Sequence, residues 1–189
     1  HDGDAYLVAL DRETGATRWK VDRQHRIRSH STPIIRYVDG RIHLFMSGAH
    51  EIVSYNPQDG SEHWRINGPQ GRAVASLVYD GSRLLVPCGY PSRQVWAVRP
   101  DGKADVTDTH VEWHIQQACP YVPSPVVIDN YFLMVADNGV ASCYNATSGE
   151  KLWIKRIGSG YSASLVNAGR LVYFLSNDGD TTVVRAGKS

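Results

Sequence analysis

Apolar positions along this chain come in short runs set off by turn residues. The stretches 41–46, 83–86, 131–135 and 171–175 each follow a dipeptide: Asp39-Gly40, Asp80-Gly81, Asp129-Asn130 and Ala168-Gly169. Another apolar stretch precedes each dipeptide. Two such runs about a tight turn predict a β-hairpin. A further turn closes each second strand, as in Asp137-Asn138-Gly139 and Asn177-Asp178-Gly179-Asp180, and a third strand follows. These inner strands lack clean alternation, as expected for strands covered on both faces. The segment 110–115 does alternate. Val111, Trp113 and Ile115 fall on one side and His110, Glu112 and His114 on the other, which predicts an outer strand.

A motif recurs on the same beat. It reads Asp11, Gly15, Trp19, then Asn56, Gly60, Trp64, then Asn145, Gly149, Trp153. A looser copy has Gly102 and then Trp113 after an insertion at 103–109. The period is about 40 to 49 residues, with four strands per unit, which is the signature of an all-β propeller built from four-stranded antiparallel blades. The glycine predicts a turn conformation closed to other residues. The Asp or Asn predicts a hydrogen bond to the backbone of that turn. The tryptophan predicts an apolar face laid on the neighbouring blade. These residues are read as structural. The approximate units are 1–27, 28–71, 72–117, 118–158 and 159–189. The first carries only its last two strands and the last only its first three. That predicts three full blades and two partial ones, read as an internal part of a seven- or eight-bladed ring. A small closed ring, with the first strands completing the last blade, is the competing arrangement. An open arc exposes two blade faces and predicts self-association.

The pattern Ala9, Asp11, Thr14, Gly15, Trp19 and its echoes resembles the pyrroloquinoline-quinone-type (PQQ-like) propeller repeat. The resemblance covers nearly the whole chain. That family includes quinoprotein alcohol dehydrogenases and non-catalytic propellers such as the outer-membrane assembly lipoprotein BamB. The stretch from Gly102 to Trp113, followed by Pro123-Ser124-Pro125, is similar to bacterial propellers of unassigned function. The resemblance implies an extracytoplasmic location, periplasmic or secreted. For the catalytic branch it implies a calcium ion on acidic and amide side chains, an Asp base, and often a disulfide between adjacent cysteines. Cys88, Cys119 and Cys143 do not adjoin, so no cofactor is expected from this stretch. PQQ with calcium would need ligands from further blades.

Composition narrows the partners. The chain has 189 residues, with 20 Lys and Arg against 19 Asp and Glu, for a net charge of +1. That balance excludes a charge-driven nucleic-acid binder. The longest apolar run, 131–136, is far short of the roughly 20 residues of a membrane span. The opening His1-Asp2-Gly3-Asp4 shows no signal-peptide pattern. Three separated cysteines make no disulfide framework.

Few residues point to chemistry. Asp105 and Asp108 in the insertion form a candidate binding loop, because loops on a rigid scaffold carry function. Tyr121, in the proline-rich segment 119–125, is a candidate for the ring's mouth. His110, Glu112 and His114 are competent zinc ligands by type, but residues strung along one strand fit a single ion poorly. Arg26, Arg28 and His30 form a mildly basic patch. The segment 158–162 matches neither a phosphate loop nor a nucleophile elbow. Asn145-Ala146-Thr147 fits a glycosylation sequon inside a repeat turn. The favoured function is a non-catalytic exported scaffold or protein-binding module whose partner the sequence does not name. The alternatives are part of a PQQ- and calcium-dependent dehydrogenase and a carbohydrate-binding propeller.

Overall fold

Residues held in the left-handed backbone region set the hairpins. Asp39 and Gly40 have φ of 46° and 79°, Asp129 has 52°, and Gly81 and Gly169 have 99° and 55°. Asp and Gly are among the residues that enter this region at least cost, so the chain reverses where they occur. The computed structural model describes residues 5–23 and 29–188.

The hairpins stack as five small sheets. The first holds β1 (Tyr6–Leu10) and β2 (Thr17–Asp22). The second holds β3 (Ile34–Val38), β4 (Arg41–Gly48), β5 (Glu51–Tyr55) and β6 (Glu62–Asn67). The third holds β7 (Val78–Tyr79), β8 (Leu84–Cys88) and β9 (Gln94–Val98), and, after β10 (Ala104–Asp105), which joins the second sheet beside β6, β11 (Val111–Ile115). The fourth holds β12 (Val126–Ile128), β13 (Tyr131–Val135), β14 (Val140–Asn145) and β15 (Lys151–Arg156). The fifth holds β16 (Val166–Ala168), β17 (Leu171–Leu175) and β18 (Thr181–Arg185). Sequential neighbours within each sheet are antiparallel. This is a partial β-propeller of three full blades and two partial ones. Among the described residues no helix is long and apolar enough to cross a membrane.

The core lies between blades rather than within them. Phe45, Ile52 and Trp64 of the second blade pack on Leu84, Val86 and Val98 of the third. Leu85 and Ala97 of the third face Phe132, Met134 and Tyr144 of the fourth. Leu133, Val135 and Cys143 of the fourth face Val172 and Phe174 of the fifth. Neighbouring residues of β8 therefore serve opposite interfaces, and the whole strand is buried. That is why its sequence does not alternate. β1 and β18 face one neighbour only, and both alternate exposed with half-buried positions.

Each motif tryptophan reaches forward to the next blade. The indole N–H donates from Trp19 to the Pro57 carbonyl at 3.0 Å, from Trp64 to Pro100 at 2.8 Å, from Trp113 to Thr147 at 3.1 Å and from Trp153 to Gly187 at 3.1 Å. Under two of the rings, those of Trp19 and Trp113, lies the glycine of the next turn. A Cβ on Gly60 or Gly149 would come within 2.7 Å of Trp19 or Trp113, and both glycines have positive φ. The turn is closed by its own Asx residue. Asp11 accepts the amides of Glu13 and Thr14, Asn56 that of Gln58, and Asn145 those of Thr147 and Ser148. These bonds, with Arg18, hold the Asp11 carboxyl down at about 2.

Two buried polar contacts also fasten the second blade. Arg23, just past the first blade, pairs with Glu51, and both side chains are buried. His43 is 4% exposed, shares a hydrogen bond of 2.7 Å with Ser54 and stacks on Phe45. Burial, helped by the nearby His63 and Arg41, pushes its pKa down to about 4.

Two outcomes follow. Trp64→Ala should cost about 3–5 kcal/mol in urea unfolding, and Trp113→Ala, whose ring is only half-buried, should cost less. Unfolded histidine takes its proton near 6.5, whereas His43 in the fold stays neutral until about 4. The unfolded state therefore binds more protons between those values, and stability should fall as pH drops from 6.5 toward 4. In His43→Gln that slope should shrink; an unchanged slope would remove His43 as its source.

Candidate interblade cleft

The turn between β13 and β14 organises the ground between the third and fourth blades. Asp137 accepts the amide of Tyr121 at 2.8 Å and that of Val122 at 3.2 Å. Prolines at 120, 123 and 125 keep this segment out of any strand ladder. Its amides need other acceptors, and Asp137 supplies two of them. Arg93, from the turn between β8 and β9, stands 3.9 Å from the same carboxylate.

Beside this anchor lies a cavity of about 260 Å³. Exposed Arg93, Gln116, Gln117 and Asn138 form its rim, over Cys119, Ala136, Val140 and Ile154. Ala118, on the same edge, has φ of 54°, a costly value for a residue with a Cβ. Its neighbours hold it there: Ser142 donates to the Ala118 carbonyl at 3.4 Å, and Tyr144 to that of Gln117 at 2.8 Å. Burial pushes the Cys119 thiol up to about 12, so it is a neutral wall and no nucleophile. Cations gather at the rim. Lys151 donates to the Gln117 side chain at 3.4 Å, and Arg156 to the Asn138 carbonyl at 2.7 Å. Polar donors over an apolar floor suit a ligand with an acidic or carbonyl-rich edge.

The residues singled out in the sequence fall in separate places. Tyr121 does not line the cleft; its amide is held by Asp137, and its ring covers Gly89 and stands 6.3 Å from Tyr90, which is 62% exposed. Asp105 and Asp108 sit instead at the outer edge of the second blade. Asp105 receives Thr107 at 2.5 Å and Asn67 at 2.7 Å, which lowers its pKa, and Asp108 is exposed in the turn beyond. His110 bonds Thr109, Glu112 pairs with Arg83, and His114 lies 6.5 Å from Trp96. Those three side chains have three separate partners. The His30 amide bonds the Ala73 carbonyl, while Arg26 and Arg28 lie outside the described residues. Arg93, Asp137 and the glutamines carry no sequence signal beyond that of ordinary loop residues, so sequence reasoning missed them.

A calcium-bound quinone does not fit what these residues offer. Among the described residues no three His, Cys, Asp or Glu side chains converge as a metal site. The Asp and Asn of the repeat turns spend their oxygens on local amides. All three cysteines are separate, buried and unpaired by disulfide.

Residues 3–124 and 121–188 match the repeat-family model described as outer membrane protein assembly factor BamB. The chain belongs to that PQQ-repeat β-propeller family. Comparison with curated proteins gives no match. BamB from Moraxella catarrhalis superposes with a TM-score of 0.68 at 18% identity, over 96% of this chain and 55% of that one. The quinohemoprotein alcohol dehydrogenase from Comamonas testosteroni gives 0.69 at 13%, over 93% and 39%. The Swd1 β-propeller domain from Myceliophteria thermophila gives 0.63 at 16%, over 93% and 57%. The chain thus spans about half the length of the BamB structure it resembles, and at these identities the likeness is one of fold.

Asp137→Ala should leave the Tyr121 and Val122 amides unpaired, at a cost of about 1–3 kcal/mol. Faster hydrogen exchange at those two amides, with Cys119 newly open to a thiol reagent at pH 8, is the expected result. An unreactive Cys119 and unchanged exchange would show that Asp137 does not hold the cleft wall.

Proposed function

We propose that this chain is a non-catalytic, extracytoplasmic protein-binding propeller, and that the cleft between its third and fourth blades is a contact surface. The observation that carries the reading is the cleft's make-up: an exposed rim of Arg93, Gln116, Gln117 and Asn138 above buried Cys119 and Ala136. An apolar base ringed by polar donors is how protein contacts combine affinity with orientation. The family model, named for an assembly factor, supports a binding role and the cell envelope as its setting. A propeller suits this work, because its blades hold the loops rigid. The fold hosts unrelated functions, so the reading rests on the cleft.

The Tyr90–Tyr121 pair beside Arg93 and Asp137 favours one second reading, a carbohydrate platform. Aromatic faces next to hydrogen-bonding side chains are the chemistry a sugar ring needs. The dehydrogenase reading gains no such support among the described residues, for the reasons given for calcium and quinone.

A photo-crosslinking residue at Gln117 should capture a discrete protein in the producing cell, and Arg93→Glu should abolish the adduct. The same residue at Glu13, on a repeat turn, should not capture it. Equal capture from both positions, or none from Gln117, contradicts the protein-binding reading. Oligosaccharide-dependent quenching lost in Tyr90→Ala would favour the sugar platform instead.

A further inference from the structure

The outermost strand of a blade is a sheet edge, and one edge in this molecule is already covered. β10, from the insertion, lies parallel along β6, with Ala104 opposite Trp64 and Asp105 opposite Arg65. The Val106 amide donates to the Arg65 carbonyl at 2.9 Å. Asn67 donates its backbone amide to Thr107 at 2.9 Å and its side-chain amide to Asp105 at 2.7 Å. A short extended segment with an acidic residue thus docks on a blade's outer edge within this chain.

β15 is the equivalent edge of the fourth blade, and among the described residues it pairs only with β14. Its six residues, Lys151–Arg156, are enough for a full strand partner. Its charges are one-sided. Among the described residues, Lys151, Lys155 and Arg156 have no carboxylate within ion-pair distance. Elsewhere on the outer strands, Arg18 pairs with Asp11, Arg65 with Glu62, and Glu112 with Arg83. Lys151 and Arg156 reach over the cleft to Gln117 and Asn138, where Arg93 adds a further cation. Lysines on an edge repel most incoming strands. They favour one kind, a strand that brings carboxylates.

We propose that the β15 edge, with the cleft beside it, binds an extended acidic segment of a partner polypeptide by strand addition. The partner's main chain pairs with β15, its cleft-side carboxylates meet Lys151 and Arg156, and its alternate side chains lie on the other face of the sheet, beside Trp153 and Lys155. This rests on the protein-binding reading and adds the form and charge of what is bound.

The test uses a capped peptide alternating glutamate and valine, titrated into the full chain and followed by amide hydrogen exchange. Exchange should slow across 151–156, and affinity should fall at least about tenfold in the Lys151→Glu, Arg156→Glu double variant. Both side chains are exposed, and circular dichroism reports whether the variant folds. A peptide with proline at its central valine, which lacks an amide donor, should lose the protection without any change to the protein. Binding without protection of 151–156, protection elsewhere, or no binding overturns the proposal. If the Gln117 adduct persists while the peptide fails, strand addition is wrong and protein binding stands; if both fail, the underlying reading falls too.

Discussion

Each blade has two apolar faces and no interior of its own, and everything else in this chain follows from that. A four-stranded sheet of this size cannot shield its own side chains, so it is stable only against a neighbour. β8 shows the constraint most plainly, because Leu84 and Val86 belong to one interface and Leu85 to the other. The tryptophan that ends each unit extends the same logic. It fills the gap between adjacent outer strands and satisfies its N–H on the next turn, and for Trp19 and Trp113 the glycine of that turn leaves room for the ring. At the two ends of the arc the rule shows by default. Tyr6, Val8 and Leu10 on one side and Val166, Leu175 and Val183 on the other are exposed blade faces.

A rigid stack of this kind leaves chemistry to the loops and edges. Between the third and fourth blades the loops are tied down by Asp137, and the result is a wall firm enough to hold Ala118 in a left-handed conformation. Unpaired cations on the adjoining strand give that wall a sign. The thiol in that wall, Cys119, is held neutral by burial.

Much of the fold was legible from turn residues. Asp39-Gly40, Asp80-Gly81, Asp129-Asn130 and Ala168-Gly169 mark the hairpins because backbone sterics are local, and the tryptophan period counts the blades. The outer strand 111–115 was legible as a strand, but not its faces: a bulge between Val111 and Trp113 turns Val111 to the second blade and Trp113 and Ile115 to the fourth, where alternation alone put all three on one side. Contacts between distant residues were not. Arg23 and Glu51 are 28 positions apart, and nothing local marks either as buried. His43 looks like any polar residue of a strand. The insertion 103–109 was visible as extra length, but its pairing with β6 depends on the neighbouring blade's edge. The cleft was illegible for the same reason: Arg93, Gln117 and Asp137 come from three connections that only the stacking of blades brings together.

Residue-resolved hydrogen exchange on the intact chain tests most directly whether stability resides between blades. Protection should peak in β4, β8, β13 and β14, which are covered on both faces, and should fall through β1 and β18, which are covered on one. Equal protection in the end blades and the middle ones would contradict it, because each blade would then be stable without its neighbours.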